Sequence, residues 1–458
     1  MKKISSLILA GCMAFLLCAC SENTAAPAET EAVKETQAVS EAVKTETETT
    51  PQAGTEAAAA EEEGTAAPAE LLPAAEPLSL LVSTFAEAGQ ADNNYIIYTT
   101  LYPDVHFSGE EAGAYGKLAE TMNRDTEILR KVVAESRNSF PEMIRDEMYD
   151  DIYFNGFSHY IVGNVLRSDT NAVSIKHDYD GYFGGSHGEY SVTSYNYDPA
   201  TGEYLRLSDV VKDTDGFMKA VREKLEAIGV EYFGLEESLS SYDLSAVPED
   251  PSAKAMNFAM GHEALILWFN PEELAPYSAG IQEVILPYNT YGSLFQEKYM
   301  VSCGEYFEPV DEYMEYPAGN GTFIFAPSYN EYGTVTGLKV TLNGNTETFE
   351  TYTYKTEPYL VKNDGKYYLY VFGNADDDEK FLEVIDLNGE KAAYVEKLPL
   401  CIFMEYEEQN VPDAPQGVNV SCTKVTAHPL IRTDEFFLKA KKNEVSYHVG
   451  ENGAPEKN

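Results

Sequence analysis

Tyr182-Phe183-Gly184-Gly185-Ser186-His187-Gly188 joins two strand-like stretches, Ala172 to Tyr182 before it and Tyr190 to Tyr197 after it. Its centre matches the pattern G-x-S-x-G. In a serine hydrolase that motif sits on a tight turn from strand into helix, which exposes the serine beside an oxyanion hole. Here a strand follows instead of a helix, so no catalytic residue is assigned. The plainer reading is a Gly-rich loop within an antiparallel sheet, with glycines permitting close backbone packing and His187 serving as a turn or packing residue. A further reading makes Tyr182, Phe183, Gly184, Gly185, Ser186, His187 and Gly188 a ligand-binding loop.

Downstream, Asp198-Pro199-Ala200-Thr201-Gly202 is a turn signal, because Pro presets φ and Gly tolerates φ > 0. Glu203 to Leu207 is expected to return from it as a strand. Phe217, Val221, Leu225 and Ile228 then fall on one helical face that Gly229 ends. Upstream, Tyr115, Leu118, Met122, Leu129 and Val133 make another apolar stripe, limited by Pro141. Tyr95 to Tyr98, Tyr153 to Val165, Glu263 to Phe269 and Gln282 to Leu286 read as strands. The stripes are core faces rather than binding faces. The expected fold class is α+β, an antiparallel sheet with packed helices over about 78–300.

Beyond about Tyr306 the pattern changes to strands and turns. Asn343-Gly344, Asp364-Gly365 and Asn388-Gly389 are hairpin signals between β-rich runs, with Tyr367 to Phe372 and Phe381 to Leu387 as strong strands. A β-rich antiparallel C-terminal domain is therefore expected over 301–458.

The chain has 458 residues and a formal net charge of −44. Residues 1–20 carry +2, residues 21–75 carry −10, and −36 remains on 76–458. Such acidity excludes nucleic acid, whose phosphates need clustered Lys and Arg. It leaves basic proteins, metal ions and neutral glycans as partners. Lys2 and Lys3 precede an apolar run from Ile4 to Leu17 that is short for a membrane span. Leu17-Cys18-Ala19-Cys20 then resembles a bacterial lipobox. Residues 1–20 are thus expected to be a lipoprotein signal peptide, with lipidation at Cys20 anchoring the chain to the outer face of the cell membrane. Residues 21–75, rich in Ala, Glu, Thr and Pro, have too little apolar material to fold and read as a disordered tether.

Cys303, Cys401 and Cys422 remain, an odd number. Cys401 and Cys422 are the candidate disulfide pair, and three separate thiols are the alternative. No CxxC spacing is present, and His262-Glu263 lacks the second histidine of a zinc motif. Asp376-Asp377-Asp378-Glu379 lacks EF-hand spacing and reads as a solvated turn. No metal or cofactor is expected.

The segment Tyr182 to Gly188 continues through Tyr195-Asn196-Tyr197-Asp198 and Leu205-Arg206-Leu207-Ser208-Asp209. With Phe269-Asn270-Pro271-Glu272-Glu273-Leu274-Ala275-Pro276-Tyr277-Ser278-Ala279-Gly280 and Val284-Ile285-Leu286-Pro287-Tyr288, it resembles the extracellular module of the RsiV-type lysozyme-sensing anti-sigma factors. A similar module accompanies some peptidoglycan deacetylases. The resemblance covers roughly 78–295. It implies a module at 76–300 that binds rather than catalyses and whose ligand is a cationic muramidase. Neither the cytoplasmic anti-sigma segment nor the deacetylase domain is recognisable. The expected function is a non-enzymatic surface lipoprotein binding an envelope-associated ligand, with a cationic, lysozyme-like protein as the sharpest partner. Peptidoglycan glycan binding and an envelope hydrolase are the alternatives.

Overall fold

The computed structural model describes residues 73–91, 95–107, 111–143, 156–247, 253–319, 321–375, 379–411, 414–440 and 443–458. Cys20, most of the tether and Asp376 to Asp378 lie outside the described residues.

Strands β1 (Leu80–Gln90) and β2 (Ile96–Phe107) pair antiparallel. Helix α1 (Gly116–Met143) then carries the chain back to β3 (Phe157–Ser168), which lies parallel to β2, as a crossover connection requires. β4 (Val173–Tyr182) and β5 (Glu189–Tyr197) complete that side of the sheet antiparallel. The expected stripe is the buried face of α1: Leu118, Met122, Val133 and Phe140 are fully covered, and Tyr115 and Leu129 pack beside them. Full burial of each such side chain contributes about 1.5–3 kcal/mol. The helix does not stop at Pro141 but includes it in its last turn. Arg137, on the same face, pairs with buried Glu87 of β1 at 3.2 Å.

Helix α2 (Thr214–Ile228) begins at Asp213, whose carboxylate caps Gly216 N–H, and ends at Gly229 in the left-handed region. It covers the all-buried strand β7 (Ala264–Phe269), which is flanked by β6 (Asn257–Met260) and β8 (Gln282–Pro287). The predicted return strand Glu203 to Leu207 is absent. Only Tyr204 bridges back to Tyr197, and a helical turn starts at Leu207, because the Asp209 carboxylate caps the Arg206 N–H.

The remainder is antiparallel β. One sheet has β10 (Glu315–Ala318), β11 (Gly321–Tyr329), β12 (Val335–Leu342) and β13 (Asn345–Thr353). Another orders β9 (Tyr306–Pro309), β14 (Lys355–Asn363), β15 (Lys366–Asn374), β16 (Lys380–Asp386) and β17 (Ala393–Leu398) as 17-16-15-14-9. Asn343-Gly344 and Asp364-Gly365 are two-residue turns with φ of 51°, 81°, 49° and 70°, the geometry that a hairpin twist favours. A small sheet contains β18 (Cys401–Ile402), β21 (Phe436–Ala440), β22 (Asn443–Val449) and β23 (Pro455–Lys457). β19 (Met404–Gln409) and β20 (Asn419–Ala427) return to the first sheet, where β20 pairs with β1. Strands from both sides of residue 300 thus share one sheet.

The first sheet uses its two faces differently. α1 covers one. On the other, Ser194 Oγ and Asn196 Nδ2 both donate to Phe258 O of β6 at 2.6 Å. Lys176, at the centre of β4, reaches Asp311 at 2.9 Å and Asp178 at 3.1 Å. Arg167, fully buried on β3, holds Asp169 at 2.8 Å and donates to Tyr299 O and Val301 O at 2.6 Å each. A buried guanidinium is tolerable only when its donors are filled in this way.

Candidate functional site

The Gly-rich loop caps the β4–β5 hairpin, just beyond the pair Gly181–Glu189. Gly184 and Gly185 have φ of 87° and 110°, which side chains rarely adopt. A Cβ on Gly188 would stand 2.9 Å from Gly181 O, so that glycine is set by close backbone approach. Tyr182 Oη donates to Gly185 O at 3.2 Å and ties the loop across its base. Phe183 turns inward, its ring 5.7 Å from Phe140 and 5.9 Å from His159. Gly185, Ser186 and His187 are exposed at the tip.

The seven candidate residues therefore divide. Phe183 and Tyr182 anchor, the glycines shape, and Ser186 and His187 face solvent. The loop runs from strand to strand, and Ser186 has no hydrogen bond among the described residues. The strand–turn–helix context of a nucleophile elbow is missing here.

A second segment completes the site. Asn270, just after β7, donates from Nδ2 to Val192 O at 3.0 Å and accepts from Val192 N at 2.7 Å, which locks the 270–280 turn onto β5. Glu273 closes the turn by accepting from Asn270 N at 2.8 Å. The turn then lays Tyr277 over the Gly-rich loop. Its Oη donates to Gly188 O at 2.6 Å, its ring lies 4.7 Å from His187, and the Tyr190 ring meets it edge-on at 5.3 Å. Burial first, then Tyr190 and the carboxylates of Asp180, Glu189 and Glu272, raises the Tyr277 phenol, so it remains a proton donor. All three carboxylates are exposed. The result is an aromatic platform rimmed by acids.

Tyr277, Tyr190, Asp180, Glu189 and Glu272 were not singled out as candidates in the sequence. Tyr277 and Glu272 belong to the second motif segment, but 89 residues separate Tyr277 from Gly188, and no local pattern encodes that contact.

A buried polar cluster lies elsewhere. One ligand-type atom each from Asp169, His262 and Cys303 lie within 4.8 Å of one another. Protein donors already occupy Asp169: Arg167 at Oδ2, and the N–H groups of Asn171 and Ala172 at Oδ1. His262 stacks on Tyr306 at 4.0 Å, and burial together with Arg167 and Lys362 keeps it neutral. Burial pushes Glu308, which accepts from His262 N, up to about 8. These groups serve the core. Cys303, Cys401 and Cys422 are free thiols. The pairing offered for Cys401 and Cys422 is not formed, since Cys401 sits in the small sheet and Cys422 in β20 of the first.

Residues 208–289 match a family described as a protein of unknown function, DUF3298. The matched stretch runs from just before α2 through β8 and includes the Tyr277 turn. No curated protein matches the chain. Among solved structures, a DUF3298 family member from Bacteroides fragilis aligns with 16% identity, over 50% of this chain and 98% of its own, at a TM-score of 0.36. A DUF3298 family protein from Pseudomonas aeruginosa PAO1 aligns with 18% identity, over 50% and 98%, at a TM-score of 0.34.

Proposed function

We propose that the chain is a non-enzymatic surface lipoprotein, anchored through Cys20, whose module binds a basic envelope-associated protein such as a lysozyme. The observation that carries this reading is the platform of His187, Tyr277 and Tyr190 inside a rim of Asp180, Glu189 and Glu272. Lys and Arg heads are attracted both to aromatic faces and to carboxylates, so a basic surface meets both. The −36 carried by 76–458 would speed encounter with such a partner. The resemblance to the lysozyme-sensing module supports the same reading.

The test is a calorimetric titration of lysozyme into the fragment beginning at Glu76, at low and high salt. Binding is expected at low salt, falling as salt screens the charges. Glu189→Lys with Glu272→Lys should weaken it at least tenfold, about 1.4 kcal/mol. Absence of low-salt binding sinks the proposal. Exposed rings also stack on sugars, which favours a cell-wall glycan as the second reading. A neutral muropeptide titrated in the same way would then bind with little salt dependence.

A further inference from the structure

We propose, resting on the reading that the module binds a basic protein, that Phe233 and Ile228 are the apolar anchor of that contact, beside the aromatic platform. Phe233 is 60% exposed, the one exposed phenylalanine among the described residues, and Ile228 is 47% exposed. Phe217, Val221 and Leu225 of the α2 stripe are buried, and Ile228 carries the same stripe past the edge of the core into water. A single exposed apolar side chain is ordinary. Here two large ones stand at the two ends of one short loop that the fold holds in place.

The backbone fixes that loop. Gly229 and Gly234, with φ of 79° and 108°, turn the chain out of α2 and into the short helix Leu235–Ser240. Tyr232 Oη donates to Leu225 O at 2.8 Å and folds the loop back beside the end of α2. Phe233 N donates to Leu274 O at 2.9 Å, so the loop is fastened to the same turn that lays Tyr277 over the Gly-rich loop. Leu274 and Tyr277 are three residues apart, a reach of at most about 11 Å. A standard interface covers about 800 Å² of each partner, roughly 30 Å across. One partner therefore spans the platform and the anchor together.

Charge selects the occupant. From Glu226 to Glu237 the chain holds four glutamates and no Lys or Arg, and Glu226, Glu231, Glu236 and Glu237 are all exposed. Glu272 adds an exposed carboxylate from a residue with φ of 68°, a conformation that favours glycine. Arg222 of α2 pairs with Glu236 at 2.8 Å. The other four have no ion pair among the described residues. A second copy of this chain, or an anionic bilayer, would bring like charge against these carboxylates. A protein surface on which Lys and Arg surround an apolar spot answers both the glutamates and the two apolar side chains. The two parts then divide the work. Charge acts at a distance and sets the rate of association, whereas an apolar anchor acts once water is expelled and sets the rate of dissociation.

The test is surface plasmon resonance on the full chain, with lysozyme as the basic probe, over a range of salt concentrations at which binding is measurable. Phe233→Ser, its folding checked by circular dichroism, should raise the dissociation rate about tenfold at each salt concentration and leave the association rate unchanged. Phe233→Trp keeps an aromatic anchor and should hold the dissociation rate of the parent. Glu189→Lys with Glu272→Lys should instead slow association, with an effect that shrinks as salt rises. An unchanged dissociation rate in Phe233→Ser, with the parent binding, overturns the anchor and leaves the platform standing. No binding to the parent at low salt overturns both. A parent chain that sediments as a dimer, beside a Phe233→Ser chain that sediments as a monomer, would assign the face to a second copy and overturn the proposal.

Discussion

The phenol of Tyr277 donates to the backbone carbonyl of Gly188 at 2.6 Å, so the turn after β7 holds the loop between β4 and β5. One bond thereby couples the two segments that make up the platform. Tyr277→Phe keeps the ring against His187 and removes only that bond. The expected loss of stability is small, about 1 kcal/mol by urea denaturation. The expected loss of affinity for lysozyme is larger, because the released loop must be ordered on binding. Equal affinity in the parent and the variant would detach the Tyr277 bond from the binding site.

Asn270 makes the complementary lock, donating to and accepting from the backbone of Val192. Asn270→Ala leaves the N–H of buried Val192 without a partner, whereas its carbonyl still accepts from Asn257 Nδ2 at 3.0 Å. One such group costs roughly 1–3 kcal/mol, so a loss of that size is expected, with faster amide exchange at Val192. Unaltered exchange there would show that the turn is held by its packing alone.

The elements legible in the sequence are those whose signal is local. Phe217, Val221 and Leu225 recur at helical spacing, and Gly229 ends α2 in the left-handed conformation that its position implies. Asn343-Gly344 turns in two residues because both adopt positive φ. The features without a local signal depend on distant contacts. β20 joins β1 through pairs such as Val425 with Thr84, and nothing in either strand names the other. Glu203 to Leu207 carries strand-like residues, yet the Asp209 cap starts a helical turn there. Pro141 lies inside the last turn of α1, so the stop signal it gives falls two residues short of the helix end. The candidate site was half legible for the same reason: the glycines announced a loop, whereas the tyrosine that roofs it lies in another segment.

The three thiols provide a test of the chain's redox state. Burial pushes Cys303 and Cys422 up to about 12 and raises Cys401 as well. The thiolate is the reactive form, so the native fragment from Glu76 should react slowly with a thiol reagent, Cys401 first because it is the least buried. In denaturant without reductant, all three should react. A single reactive thiol would reveal a disulfide.

Glu308 should set the alkaline limit of stability. Its carboxyl is raised from 4.5 to about 8, chiefly by burial. Below the ordinary value, folded and unfolded chains are both protonated there and the group costs nothing. Between 4.5 and about 8 the unfolded chain releases the proton while the folded chain keeps it, so stability falls as pH rises. Above that window the loss is complete. At about 1.4 kcal/mol per pH unit the total is on the order of a few kcal/mol. Glu308→Gln keeps an oxygen for the His262 N–H and cannot ionise. The variant should therefore gain on the parent chain between about pH 4.5 and about pH 8 and level off above that, as read by urea denaturation. Taking the difference between the two chains cancels the neighbouring His262, which favours the folded state in the opposite direction because its neutral form is the buried one. A constant difference across that range would mean that Glu308 ionises normally and that its carboxylate is solvated or paired in solution.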